Sequence, residues 1–219
     1  MGRPEFSYEY QSKKHRIEFW KDQESLGRIY LPIDQSFDIA TGIQTIDDFY
    51  FGMLVIKAGQ AVSGCFHNGV LIDHKVFRAY MVRKKQGKSQ IKHLKTKGKS
   101  RAGSRVRLES TKLFFEEINE RLNRYSTDFA MTRWGISCGK TLWPYLFDSE
   151  VLPPFEKNDD SLYPLPFHVP QASFEALEDL YKKITSFQVT LSPEGEQLYG
   201  DIFVFTKESG STGDDSDDW

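Results

Sequence analysis

The 219 residues carry 39% hydrophobic and 14% aromatic side chains with a formal net charge of -2, which excludes a disordered chain and fits one principal globular domain. No stretch approaches the roughly 18 to 20 uncharged apolar residues that span a bilayer, and the start, MGRPEFSYEYQSKKHRIEFW, lacks a signal peptide's apolar run; a cytoplasmic protein without a membrane partner is expected. Cys65 and Cys138 are too few for a disulfide framework or a four-thiolate zinc site and read as buried thiols.

Residues 1–45 form an N-terminal extension with one strand expected, at GRIYLPI, and residues 46–206 form the main domain. YFGMLVIKAG and QAVSGCF are short β-prone runs bounded by glycines, and HNG supplies Asn68-Gly69, a pair suited to the positive φ angles of a type I′ hairpin turn. VLIDHKV and FRAYMVRK follow with rough apolar and polar alternation, so an antiparallel meander is expected to lead into a basic loop over residues 84–104. From about Arg105 the period changes. Leu108, Thr111, Phe115, Ile118 and Leu122 fall three or four apart, which predicts an amphipathic helix with Ser104 as its N-cap. DFAMTRWGISC reads as a strand covered by that helix, KTLWPYLFD as a helical turn, and EVLPPFEKNDDSLYPLPFHVP as a long connection. SFEALEDLYKKITSFQVTL predicts a helix with Phe174, Leu177, Leu180, Tyr181 and Ile184 inward, passing into a strand at 187–191. SPEGE is expected to turn a hairpin into a last strand, QLYGDIFVF, and residues 207–219 to form a flexible acidic tail. Alternating helices and strands predict an α/β fold, a mixed β-sheet with packed helices and a long basic loop between a strand and a helix.

The basic loop carries the strongest functional signal. Residues 82–107 hold eleven of the chain's 29 Lys and Arg, namely Arg83, Lys84, Lys85, Lys88, Lys92, Lys95, Lys97, Lys99, Arg101, Arg105 and Arg107, and no Asp or Glu occurs over residues 75–108. A segment this long without periodicity is usually functional or disordered, and so many cations with no internal anion suit a dense polyanion. These eleven are the candidate RNA-binding residues. With no groove-reading motif visible, RNA is favoured and no DNA partner is expected; the rival reading is a merely solvated charged loop. Within KKQGKSQ, a glutamine amide beside glycine donates and accepts hydrogen bonds, and so orients a water or a ribose hydroxyl without titrating.

VFRAYMVRKKQGKSQ, the basic Gly/Ser segment after it, RAGSR and the helix beyond resemble the catalytic loop of the Vms-like release-factor domain, within the archaeal and eukaryotic class-one peptide chain release factor superfamily. LYPLPFHVPQASFEALEDLYKKITSFQVTL is similar to the family's C-terminal segment: a short strand ending in Pro, Ser-Phe opening a helix, and a closing strand. The resemblance covers residues 50–192 and implies a release-factor-like catalytic domain over 46–206. It implies release of nascent chains from peptidyl-tRNA on stalled large ribosomal subunits, with the large subunit, peptidyl-tRNA and rRNA as partners. The family's loop glutamine falls on Gln90, the third residue after Gly87. Gly87 would supply backbone freedom and Ser89 a supporting hydrogen bond, whereas Gln86, before the glycine, matches less well. Lys88 stands where some relatives have a second glycine, and the contiguous Gly-Gly-Gln of termination factors is missing. Two chemistries therefore stay open: water attack on the ester, or attack by a ribose 2′-hydroxyl on the adjacent phosphate, which cuts the tRNA near its 3′ end. No zinc-finger spacing, ankyrin repeat or codon-reading domain is visible, so stand-alone bacterial ribosome rescue fits better than stop-codon termination. A non-catalytic rRNA- or ribosome-binding module and a tRNA 3′-end nuclease are the alternatives, and no cofactor or metal is expected.

Other signals read as structural. GISCGKT has three residues between Gly135 and Gly139, where a phosphate-binding P-loop needs four. His15, His67, His74, His93 and His168 show no metal-ligand spacing; His67 and His74 flank the predicted hairpin and could approach each other, and His93 lies near enough to Gln90 for RNA contact or proton transfer. The pairs Asp47-Asp48 and Asp159-Asp160 read as solvated, and Trp20, Trp134 and Trp143 as packing residues.

Overall fold

The computed structural model describes residues 6–57, 59–79 and 99–200, the stretch 99–108 by its backbone alone. Strands β1 (Phe6–Gln11), β2 (Arg16–Lys21), β3 (Glu24–Tyr30), β4 (Gln35–Asp38) and β5 (Gly42–Thr45) come first. They are followed by β6 (Tyr50–Lys57), β7 (Gln60–His67) and β8 (Val70–Arg78). Helix α1 (Lys99–Asp128), β9 (Arg133–Cys138), helix α2 (Trp143–Phe147), β10 (Leu162–Pro164), helix α3 (Phe174–Ile184), β11 (Gln188–Leu191) and helix α4 (Pro193–Tyr199) complete the order.

The central sheet has the order β10-β9-β6-β7-β8. Strands β6 and β7 are near-continuous apolar runs, each buried at six consecutive positions, the pattern of strands covered on both faces. Asn68 and Gly69, with φ of 45° and 89°, make the expected two-residue turn between β7 and β8. β9 lies parallel to β6 and β10 parallel to β9, so the sheet is mixed. Alternation along β6 divides the core in two. Phe51, Met53 and Val55 pack with Leu177, Leu180, Tyr181 and Ile184 of α3. Leu54 and Ile56 pack with Phe114, Phe115, Ile118, Leu122 and Tyr125 of α1. The result is an α/β/α layering, in which each fully buried aliphatic or aromatic side chain contributes about 1.5–3 kcal/mol.

The N-terminal residues form more than the single expected strand. β1, β2, β3 and β11 make a four-stranded antiparallel sheet in that order, and β4 and β5 make a separate hairpin. An added Cβ on Gly27 would lie 2.5 Å from the Thr190 carbonyl oxygen, so only glycine lets β11 close on β3. The sheet is tied to the core through the Ile33 N–H, which donates to the Ile184 carbonyl at 2.8 Å, and through Arg133, which donates to the Ile33 carbonyl at 3.2 Å.

Three sequence expectations need correction. Helix α1 begins at Lys99, so Ser104 is a helix-interior residue and no N-cap, and residues 99–104 are helical rather than loop; the straight-chain Lys and Arg residues and Ala102 are good helix formers that outweigh Gly103. SPEGE does not turn a hairpin. The Ser192 hydroxyl caps the Gly195 N–H at 3.1 Å, Pro193 opens the helix and Glu194 and Glu196 sit in its first turn, so the stretch starts α4. Gln197 to Tyr199 therefore belong to α4 rather than to a strand, and residues 201–219, with the expected end of that strand and the acidic tail, lie outside the described residues. Finally, His67 and His74 face opposite sides of the sheet. His67 stacks on Tyr50 at 4.0 Å and meets Asp48 at 2.8 Å, whereas His74 lies against Phe174 of α3 at 4.4 Å. No helix among the described residues is long and apolar enough to cross a membrane.

Candidate nucleic-acid interface

The structure fixes the two stems of the basic segment. On one side β8 ends at Arg78, and the Ala79 N–H donates to the Gly59 carbonyl at 2.9 Å. On the other, α1 begins at Lys99. Gly87, Ser89, Gln90, Gln86 and His93, with Arg83, Lys84, Lys85, Lys88, Lys92, Lys95 and Lys97, lie outside the described residues. Lys99, Arg101, Arg105 and Arg107 occupy the first turns of α1, whose first turn has no acidic residue. Lys99 and Arg101 fall in the first turn, the positive end of the helix dipole, where cations are disfavoured and a polyanion is favoured.

Past those turns, the helix is held firmly. Among its described side chains Phe114 is the first buried one, and Phe115, Ile118, Leu122 and Tyr125 continue the stripe. Buried Asn119 donates to the Leu146 carbonyl at 2.8 Å and the Val151 carbonyl at 2.7 Å, fixing α1 against α2 and the chain after it. A polar chain then joins α1 to the strands leading into the basic segment. The Arg121 guanidinium grips both carboxylate oxygens of Asp73 on β8 and donates from Nε to the Tyr125 hydroxyl at 3.3 Å, which in turn meets Ser63 of β7 at 3.3 Å. Burial alone would lower the Arg121 pKa, but the Tyr125 hydroxyl and the Asp73 carboxylate outweigh it and hold the guanidinium charged. Sequence reasoning missed this network, although Ser63 inside the apolar QAVSGCF is the kind of buried polar residue that calls for a partner.

Other reactive side chains are quenched. Burial pushes the Cys65 and Cys138 thiols up to about 12, so both are protonated and poor nucleophiles. His15, 2% exposed, accepts from the Tyr10 hydroxyl at 2.8 Å on Nδ1 and donates from Nε2 to the Pro32 carbonyl at 3.0 Å. Burial lowers its pKa to about 4, with the Arg133 charge acting in the same direction. Among the described residues no group of three or more His, Cys, Asp or Glu is arranged to hold a metal ion. The described side chains therefore supply stems and clamps around the basic segment.

Residues 51–192, which run from β6 through β11 and include both stems, match the family model of the Bacteroidetes VLRF1 release factor. The chain belongs to that family. No curated protein matches this VLRF1-family chain. A solved structure, the Vms1 mitochondrial localization core, is similar to it over 81% of this chain and 77% of that chain, at 10% identity and a TM-score of 0.47. Membership bears out the resemblance to a Vms-like release-factor domain of bacterial type, and with it a release-factor role in ribosome rescue.

Proposed function

We propose that this VLRF1-family protein releases nascent chains from peptidyl-tRNA on stalled large ribosomal subunits in the cytoplasm. The observation that carries the reading is the family match over residues 51–192, which brackets the cation-rich stretch and both of its stems. Gln90 would act at the CCA end. Its amide orients the attacking water or ribose hydroxyl, Gly87 gives the backbone the freedom to approach, and Ser89 supports the glutamine by a hydrogen bond. Arg83, Lys84, Lys85, Lys88, Lys92, Lys95, Lys97, Lys99, Arg101, Arg105 and Arg107 would bind rRNA and tRNA phosphates. Losing one costs little and losing several abolishes binding, because each contact adds one increment of counterion release.

Two products separate the two chemistries. Water attack at the ester carbonyl breaks the acyl–oxygen bond and leaves a tRNA with an intact CCA end. Attack by a ribose 2′-hydroxyl on the adjacent phosphate breaks the P–O5′ bond, leaving a shortened tRNA with a 2′,3′-cyclic phosphate and a peptidyl 3′ fragment with a 5′-hydroxyl. The test is release of labelled nascent chain from purified large subunits carrying peptidyl-tRNA, comparing the wild type with Gln90→Ala and resolving the tRNA 3′ end on the same gel. Release by the wild type alone, with equal binding by both proteins, supports the proposal and its length readout identifies the chemistry. Equal release by both removes Gln90 from the mechanism, and salt-sensitive binding without release by either leaves a ribosome-binding module.

A further inference from the structure

A second surface lies at the N-terminal sheet, apart from the basic segment. β1 is an edge strand that pairs with β2 alone among the described strands. The hairpin β4–β5 stands beside it. The Phe37 ring packs 5.1 Å from Tyr10 at 49° and 6.4 Å from Tyr8 at 84°. Between strand and hairpin opens a groove of about 390 Å³ lined by Tyr8, Glu9, Tyr10, Phe37, Asp38 and Ile39. Its walls are strongly exposed for apolar residues, with Tyr8 at 60% and Ile39 at 83%. Tyr8, Tyr10 and Phe37 bring three aromatic rings to the lining and Asp38 a carboxylate, whereas Glu9 alternates with the two tyrosines and shares the other face of β1 with its partner Glu18. The Asp38 Oδ1 accepts from the Ala40 N–H at 2.8 Å and the Thr41 N–H at 3.0 Å, which fixes the carboxylate at the groove mouth and keeps it ionised.

We propose that this groove binds a Lys or Arg side chain presented by an extended basic polypeptide that lies along the edge of β1. Aromatic faces attract cations through the ring quadrupole, and Asp38 supplies the opposite charge. The outer edge of β1, which no other described strand covers, supplies backbone hydrogen bonds, the usual source of affinity when a strand is added to a sheet. Because alternate residues of a strand share a face, the fitting ligand carries its cations at every second position. The fixed Asp38 carboxylate, with no cation among the lining residues, disfavours a nucleic acid, so this face selects a polypeptide.

The test uses the full chain and a fluorescein-labelled peptide of about eight alternating Lys and Val residues, read by anisotropy at low salt. The variants are Tyr8→Ser and Asp38→Asn, whose amide oxygen still accepts from Ala40 and Thr41, so that the turn survives; unchanged circular dichroism and urea midpoints verify the fold. The proposal expects each variant to weaken the peptide by roughly tenfold. Peptide affinity unchanged in both variants overturns it. A labelled oligouridine whose binding falls with Tyr8→Ser also overturns it, and makes the face a nucleic-acid surface. The assay contains no ribosome, so its outcome is independent of the release reaction.

Discussion

The Arg121–Asp73 pair offers a quantitative test of how the two stems of the basic segment are held. The side chains are 16% and 35% exposed, and the guanidinium binds both carboxylate oxygens. A charge-assisted hydrogen bond contributes about 1.5–3 kcal/mol when buried, and because both contacts come from the single Nη2 rather than from a two-nitrogen fork, the lower part of that range applies. The exposure of Asp73 pulls the figure back toward the surface-pair range of about 0.2–1 kcal/mol. Arg121 also lies 5.3 Å from the centre of the Tyr125 ring, a contact that contributes about 0.5–1 kcal/mol. Arg121→Met keeps most of the stem's packing and is expected to cost about 2 kcal/mol; Asp73→Asn is expected to cost about 1 kcal/mol. In the double mutant the two losses should overlap, giving a coupling energy of about 1 kcal/mol by urea unfolding at constant slope. A coupling within about 0.3 kcal/mol of zero refutes the reasoning and leaves apolar packing as the sole tie between α1 and β8.

Acid should weaken the N-terminal sheet through His15. Its ordinary pKa of 6.5 falls to about 4 in the fold, so the unfolded chain binds the extra proton between those values. Stability is then complete above about pH 6.5 and declines toward pH 4 by at most about 3 kcal/mol. His15→Asn, which tolerates the left-handed φ of 48°, should flatten this decline in urea titrations at several pH values, and an unaltered slope refutes it. Gly52→Ala would place a Cβ 2.3 Å from Cε3 of Trp134. It should cost about 1–3 kcal/mol by the same unfolding assay, and a neutral result contradicts the packing argument. RNA binding should fall with salt at a log–log slope of roughly -0.7 per phosphate contact, so Lys→Gln at four of the basic positions lowers the slope magnitude by about 3. An unchanged slope removes those lysines from the interface.

The central sheet was legible because its signals are local. Asn68-Gly69 states its own turn, and the spacing of Phe115, Ile118 and Leu122 matches the face that α1 buries. The start of α1 was hidden by charge. A run of Lys, Arg, Gly and Ser without an apolar stripe reads as loop, and only its backbone placement reveals the helix. The N-terminal sheet inverts the usual pattern, since Arg16 and Glu18 are buried at 6% and 8% while Phe6 and Tyr8 are exposed at 57% and 60%. The polar pair is accommodated by its bonds: Arg16 donates to Gln11 at 2.9 Å and Tyr30 at 2.9 Å, and Glu18 accepts from Arg28 at 3.1 Å. Hydropathy cannot announce a strand of that kind. At the candidate interface, the cation count was plain in the sequence. The Arg121–Asp73 contact was not, because it depends on which helix face meets which strand.

The pairing of β3 with β11 sets a timetable for synthesis. Gly27 meets Leu191 in that ladder, so one edge of β3 stays open until nearly the whole described chain has been made. At the usual rate of translation that interval lasts roughly ten to thirty seconds, long compared with the folding of most small domains. The strands of the central sheet end with β10 at Pro164, and α3, which covers one of its faces, ends at Ile184, so both are made before β11. Its strands come later in the chain than β3, yet all of their described strand partners are made before β11; β3, among the first strands to leave the ribosome, takes as its second neighbour the last described strand to be made.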